Sequence, residues 1–537
     1  MQCRFVAIFL FAAVWLLVGC PGARPVDQAT EEGILLLGNR NEPGRLDPQL
    51  TTAVSEFNIL FALYEGLVAP HPQTLAPVPG VAARWEVEED GRFYRFFLRE
   101  DARWSNGDTL TAHDFIASWE RLLTPRLGAP YAAMLHAIEG AEAFHRGETT
   151  DFATVGLHAP GPHELHVRLR APVPFFLDLL KHPATFPVHL PSIRNRGDPF
   201  DRDNRWAGVG RSVVNGPFKL LRWEPESVLE VTRNPLYWDA ETVSLNGIRF
   251  FPIVDLGAEE RAFQAGQLHI TEALAPTRVA HYRRNAPERL RIDPYLGTYY
   301  FLFNTTRPPL DDVRVRRALS LAIDRRAITD QILGAGQTPA YSFTPRGLGD
   351  YQPPQMPPGD LAEARALLAQ AGFPNGEGFP QMEFLFNTSE SHQRIAEAVR
   401  EMWRRGLGID IRLRNVELQV YFSSRREGDF DIARAVWIGD YLDPHTFLSM
   451  WTSSSGHNFS GWSDPAFDQL IAASDEAGPD TRLEILAEAE AFFLGEHVVA
   501  PLYHYVSVFL IRPEVRGWYP TLLNWHPYKH VSLEPGN

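Results

Sequence analysis

Short runs of β-branched and aromatic residues take turns with amphipathic stretches along most of this chain. The runs at residues 92–98 (RFYRFFL), 165–169, 229–232, 248–251 and 382–386 predict strands, because Phe, Tyr, Ile and Val suit a pleated, half-buried surface. Over residues 315–333, Val315, Ala318, Leu319, Ala322 and Ile323 recur at helical spacing and predict one continuous helix. Asp360 is placed to cap a helix over 360–371 that stops at Gly372, and residues 394–405 and 481–494 predict two more. Gly/Pro-rich breaks fall near residues 70–80, 345–360 and 373–380 without forming a long linker, and no solenoid-like repeat is visible. The pattern is α/β with mixed sheets, in several close-packed domains.

The first residues follow a different logic. Arg4 precedes the uncharged run FVAIFLFAAVWLLV at residues 5–18, and Gly19 and Cys20 come next. A short basic stretch, an apolar core too brief to span a bilayer and a small residue before a cut read as an export signal. Leu17-Val18-Gly19-Cys20 resembles the bacterial lipobox, in which the cysteine takes a diacylglycerol; a plain signal peptide with an incidental cysteine is the other reading. The expectation is a lipoprotein signal peptide over 1–19, lipidation at Cys20 and a flexible tether over 20–30. The protein then sits in the periplasm or cell envelope, with the lipid as its only membrane contact.

Composition narrows the function classes. Across 537 residues, 51 basic against 66 acidic side chains give a net charge of −15, which argues against nucleic acid or an anionic membrane as a general partner. Cys3 and Cys20 are the only cysteines, so a disulfide framework, iron–sulfur ligation and a multi-cysteine zinc site are excluded. The sequence holds no Gly-x-Ser-x-Gly, His-Glu-x-x-His, phosphate loop or dinucleotide fingerprint. His158, His163 and His166 lie close together, but their spacing suits strand and loop positions better than a metal. Neither catalysis, metal nor cofactor is expected.

Residues 82–125 combine an aromatic strand, the polar turn Ser105-Asn106-Gly107-Asp108 and a helix starting near Thr111. This unit resembles the signature of the family 5 extracellular solute-binding proteins, the receptors of peptide ABC importers. Residues 298–325 (TYYFLFNTTRPPLDDVRVRRALSLAIDR), Asn234-Pro235-Leu236-Tyr237-Trp238 and residues 431–448 (DIARAVWIGDYLDPHTFL) are similar to the periplasmic oligopeptide-binding subgroup, and the likeness runs from about Leu46 to Tyr505. It implies a two-lobed periplasmic binding fold of class II type with mixed sheets, a hinge between lobes and an extra domain. The expected division is 31–64, 190–296 and 506–537 in lobe 1, 65–189 in the extra domain and 297–505 in lobe 2.

The resemblance also implies site residues. From the residues alone, Asp440 is open between turn capping and ligand recognition; the family places it on the aspartate that takes a peptide's α-ammonium. Thr52, Ala53 and Val54 on one side, and Val436, Trp437 and Ile438 on the other, correspond to segments that hydrogen-bond an extended peptide. Arg434 and His392 match positions that meet ligand carboxylates, with an ion pair to Asp431 or Glu427 as the structural alternative for Arg434 and an exposed helix start for His392. Leu333 stands where relatives carry a further lysine, and Gly297 and Ile438 stand where some relatives bridge two cysteines. Trp437 and Tyr131 are candidate cleft aromatics or core residues, and Gly297 lies near the family's interlobe crossing. The implied partners are short peptides and an ABC permease and ATPase in the inner membrane, with the receptor a monomer. A same-fold binder of another solute (murein peptide, dipeptide, metal chelate or sugar) and a secreted hydrolase are the competing readings.

Overall fold

A computed structural model describes residues 24–88 and 91–534 of the protein. The expected signal peptide and the lipidation site Cys20 lie outside the described residues. Within them, no helix is long and apolar enough to cross a membrane.

Three sheets organise the chain. In the first, strands run in the order Ile34–Gly38, Gly247–Phe251, Val228–Arg233, Phe218–Glu224, the first pair parallel and the others antiparallel. Leu35, Leu37, Ile248 and Phe250 point into a core that also takes Leu60, Trp206 and, from the far end of the chain, Phe509, Ile511 and Tyr528. The second sheet is antiparallel, in the order Ala82–Glu88, Phe93–Leu98, Glu164–Arg168, Leu157–Gly161. Tyr94, Phe96 and Leu98 alternate inward, as the period of a half-buried strand requires, and meet Phe115, Trp119 and Leu122 of the helix Ala112–Leu123. Thr111 opens that helix: its backbone N–H and its hydroxyl each donate to Asp114 Oδ2 at 2.8 Å.

The third sheet is mixed, in the order Thr338–Pro339, Val499–Leu510, Leu290–Phe303, Ile432–Ile438, Met382–Asn387, Ile411–Val416. Successive residues of Leu290–Phe303 serve opposite faces. Tyr300 and Leu302 join Phe343, Trp451 and Phe493 in one core, while Tyr299, Phe301 and Phe303 join Phe384 and Trp403 in the other.

Leu290–Phe303 and Val499–Leu510 also connect the lobes. They pair antiparallel from Leu290↔Leu510 to Leu302↔Val499, and the register breaks between Pro294↔Val506 and Thr298↔His504. One half of the ladder lies beside the first-sheet lobe, where Ile511 bridges to Ile270; the other half is central in the third sheet. Gly297 sits at this break, opposite Ile438 on the neighbouring strand. A Cβ there would collide with Ile438 Cδ1 and come within 3.2 Å of the Trp437 carbonyl oxygen, so close strand approach accounts for this glycine.

Several expectations are corrected. The helix predicted over 315–333 is broken: Val313–Leu321 ends, Asp324 caps a new turn through Ala327 N–H at 3.0 Å, and Ile328–Leu333 widens into a π-helix. Arg325 stabilises the break by donating to the Ser320 and Ile323 carbonyls at 3.1 and 3.4 Å, a contact that hydrophobic period cannot register. The tether over 20–30 is not irregular throughout, because Pro25–Glu32 is helical and buries Val26 and Ala29 against Leu36. Phe186 and Val188, expected in the extra domain, pack in the first-sheet core. Leu75 and Leu523, expected in the extra domain and lobe 1, are buried in a third-sheet core. Leu333 is buried in the other third-sheet core.

Gly297→Ala is expected to destabilise the protein by about 1–3 kcal/mol through overpacking. In urea denaturation the loss should be partly recovered by adding Ile438→Val, which removes the methyl group in the way; no recovery would sever the link between these two positions.

Candidate functional site

A cavity of about 750 Å³ lies where the three sheets' domains meet. Thr52, Val54 and Phe57 line it from the first lobe, Tyr131, Phe175 and His182 from the extra domain, Trp437, Ile438, Asp440 and Tyr441 from the third-sheet lobe, and Trp525 from the C-terminal segment.

On the third-sheet side the wall is the strand Ile432–Ile438 and the loop after it. Along its inner edge the strand pairs with Leu290–Phe303 over its whole length, whereas on the other edge Met382–Asn387 pairs only with Ile432 and Ala433. Among the described residues no strand covers that edge from Val436 to Ile438. Gly439 donates its N–H to Leu296 O at 2.8 Å and closes the strand. The next turn is held by Asp443, whose carboxylate takes two 2.8 Å bonds from Arg482 and one of 2.9 Å from the His445 N–H.

Asp440 has a different environment. Its backbone N–H donates to Thr446 Oγ1 at 3.2 Å, but among the described residues its carboxylate has no ion-pair or hydrogen-bond partner. Asp443 therefore performs the turn-forming role that the sequence left open for Asp440. Burial pushes the Asp440 carboxyl up to about 6, because removing water disfavours the charged form and nothing nearby replaces it. Burial and, secondarily, the Asp440 charge push the Tyr131 hydroxyl up.

The opposite wall begins in extended backbone and turns helical. Ala53 has φ −94° and ψ 140°, and Val54 is already the first residue of the helix Val54–Leu63. Glu56 fixes this entry: its Oε1 accepts from the Gly44 and Arg45 N–H groups at 2.8 and 3.1 Å. Thr52, Ala53 and Val54 are exposed, and Thr52 and Val54 line the cavity.

Aromatic rings make up much of the remaining wall. Tyr131 lies 4.5 Å from His182 and 6.0 Å from Phe57, centroid to centroid, and His182 approaches Trp525 at 6.3 Å. Trp437 lines the cavity and contacts His457, while its indole nitrogen is buried without a partner among the described residues. Phe175 stacks on Tyr441 at 4.9 Å and an interplanar angle of 6°, with the Arg482 guanidinium 5.1 Å from its centroid. These contacts tie the Asp440 loop to the extra domain.

Charge in the cavity is predominantly negative. Asp440, Asp475 and Glu476 line it against Arg170, and its histidines stay neutral near pH 7: burial lowers His136 to about 4 and His182 to about 3, and likewise lowers His445 and His457.

Arg434 and His392 lie together but are not among the residues lining this cavity. Arg434 is 6% exposed; its Nε donates to Asn387 Oδ1 at 2.8 Å, its terminal nitrogen bonds the same oxygen, and it lies over the Tyr421 ring at 4.8 Å. The alternative pairing with Asp431 is not formed, since Asp431 is bound by Arg307 at 3.1 Å. His392 Nδ1 donates weakly to Asn387 O, 3.3 Å away, and burial followed by the Arg434 charge lowers it to about 4, so it adds no positive charge near neutrality. Phe57, Phe175, His182, Tyr441 and Trp525 were not legible as cleft residues, because they come from separate segments with ordinary core-like contexts.

Two lobes joined by crossing strands, with a charged and aromatic cleft between them, define a solute-binding receptor. The chain belongs to the bacterial extracellular solute-binding proteins, family 5, whose middle-region profile matches residues 76–459. It is 36% identical over 489 residues to the periplasmic murein peptide-binding protein MppA of Escherichia coli strain K12, covering 89% of each chain. It is 35% identical over 503 residues to the periplasmic oligopeptide-binding protein OppA of Salmonella typhimurium, covering 91% of this chain and 90% of that one. The crystal structure of Haemophilus influenzae OppA in complex with the peptide RPPGFSPFR superimposes with a TM-score of 0.81 at 32% identity, over 94% of this chain and 99% of that one. The fold is that of these two-lobed binding proteins.

The raised Asp440 carboxyl carries a stability consequence. Its proton is held more tightly in the folded than in the unfolded chain, so its contribution is complete below the unfolded value near 4 and is lost as pH rises through about 6. In thermal or urea unfolding without ligand, Asp440→Asn is expected to match wild type near pH 4 and to exceed it at pH 7 by up to about 3 kcal/mol.

Proposed function

We propose that this protein is the substrate-binding receptor of an ABC peptide importer, holding short peptides extended between its lobes and delivering them to a permease and ATPase in the inner membrane. The observation that carries this reading is the Asp440 carboxylate, facing the cavity without a countercharge. A peptide's free α-ammonium supplies the missing charge, and a poorly hydrated cleft strengthens the pair.

The rest of the peptide has a surface to lie on. The open edge at Val436–Ile438 offers main-chain groups to an added strand, and Thr52, next to the extended backbone of Ala53, lines the same space. Main-chain bonds are indifferent to side-chain identity, which supports breadth of sequence. The aromatic walls then give apolar contact to whatever side chain enters. Arg434 precedes Asp440 by six positions along this strand and brings a positive charge that Asn387 does not neutralise. From Arg434 to the strand's end at Ile438 is roughly 13 Å at a strand's rise, and Arg434 lies outside the cavity lining, so it suits the carboxylate end only of ligands long enough to reach past Ile438.

The likeness to the murein peptide-binding protein MppA and the oligopeptide-binding protein OppA supports the peptide class. The export signal and the lipobox-like Leu17-Val18-Gly19-Cys20 support a receptor tethered in the cell envelope. Closure follows from differential contact: the ligand bonds to both lobes only when they approach, so binding shifts the equilibrium towards the closed form. No bond is made or broken.

Calorimetric titration with tetra-alanine tests the reading. Asp440→Asn and N-acetylation of the peptide should each weaken binding by about 100-fold or more, the loss of a charge-assisted pair in a desolvated site. Equal affinity for blocked and free peptides would refute the role of Asp440. Because the empty site's carboxyl titrates near 6, affinity for free peptides should fall about ten-fold between pH 7 and pH 5, and Asp440→Asn should abolish that slope.

A further inference from the structure

A second cavity of about 790 Å³ shares no lining residue with the peptide cleft. It forms where the predicted helix over 315–333 breaks. Leu321, Ile323, Tyr341, Met356, Leu361 and Met402 make its apolar walls, and Asp324, Arg325, Arg326 and Arg405 bring charge to it. Two of the chain's six methionines are here; a thioether on a flexible stem lines surfaces that adapt to variable apolar ligands. Leu361 keeps 39% of its surface exposed.

The charges are unbalanced. Arg325 is 2% exposed, yet its bonds go to neutral groups: Pro501 O at 2.6 Å, Ser320 O at 3.1 Å, Ile323 O at 3.4 Å and Ser320 Oγ at 3.0 Å. Among the described residues, no carboxylate is within ion-pair distance of Arg325 or of the exposed Arg326, whereas Arg405 is paired with Glu401. Asp324 is already used in capping Ala327. Burial accordingly lowers Arg325 to about 10. A buried cation without a countercharge, at the wall of an apolar cavity of ligand size, favours a molecule that brings an anion on an apolar body.

We propose that this cavity is a second binding site, for a medium-chain carboxylate whose head group meets Arg325 and Arg326 and whose chain lies against Met356, Leu361 and Met402. The site is separate from the cleft, so its occupancy does not depend on the peptide reading.

The test is calorimetric titration of the full protein with octanoate, with octanol as the uncharged probe. Octanoate should bind one-to-one, at least about ten-fold more tightly than octanol, the factor expected of a charge-assisted contact. Met402→Trp, which fills the cavity, should weaken octanoate at least about ten-fold, and Asp440→Asn should leave it unchanged. If Met402→Trp does not fold by circular dichroism, the surface variant Arg326→Glu/Arg405→Glu decides, again with about a ten-fold loss expected. No binding at millimolar octanoate, equal affinity for octanol, or indifference to these cavity variants would overturn the proposal. So would a change in octanoate affinity on Asp440→Asn, which would place the molecule in the cleft.

Discussion

An ionisable group half-withdrawn from water without a partner is the constraint around which this cleft is arranged. Asp440 faces a cavity walled by aromatic rings, and desolvation raises its carboxyl to about 6. The surrounding fold must hold that arrangement against its cost. Asp443 and Arg482 fix the turn with a buried bidentate pair, Gly439 closes the strand against Leu296, and Phe175 from the extra domain stacks on Tyr441 one residue further on. Each contact removes a way for the loop to swing the carboxylate towards solvent. Two aspartates three positions apart thus have opposite roles, set by whether an arginine is within reach.

Openness of the same strand follows from sheet topology. Met382–Asn387 accompanies Ile432–Ile438 for two residues and then diverges, so the end nearest Asp440 presents an edge inside a cleft and not at the protein surface. An exposed edge strand invites aggregation, whereas an edge recessed between lobes is reachable by an extended short chain and by little else. The crossing strands that create the recess are interrupted where Gly297 meets Ile438. Strand approach at that point is close enough to exclude a β-carbon, which ties the geometry of the hinge to the strand that carries the cleft wall.

The two arginine environments of the third-sheet lobe show the same economy of charge. Arg434 and Arg325 are both buried, both bonded to neutral oxygens and both without a carboxylate among the described residues. Arg434 lies on the strand of the peptide cleft; Arg325 lies where a helix breaks, at the wall of a separate cavity. A guanidinium satisfied by carbonyls and amides keeps its net charge available to an incoming anion, which a salt-bridged one does not.

Local pattern was enough to place the strands at 93–98, 228–233, 247–251 and 382–387 and the helices that follow Thr111 and Asp360, because alternation, caps and turn residues act over a few positions. Motif likeness singled out Asp440, Trp437, Ile438, Thr52 and Val54, and aromatic character Tyr131, and the structure brings these six to one cavity. Local pattern could not foresee the break at Ala322–Asp324, since the apolar period runs on across it and the deciding contact is Arg325 reaching back to carbonyls. Nor could it separate Asp440 from Asp443, place Arg434 against Asn387 in preference to Asp431, or bring Phe175 and Trp525 to the cleft. Those outcomes depend on which distant side chains share a space, and only the packing of the lobes decides how much water and which counterions each charge retains.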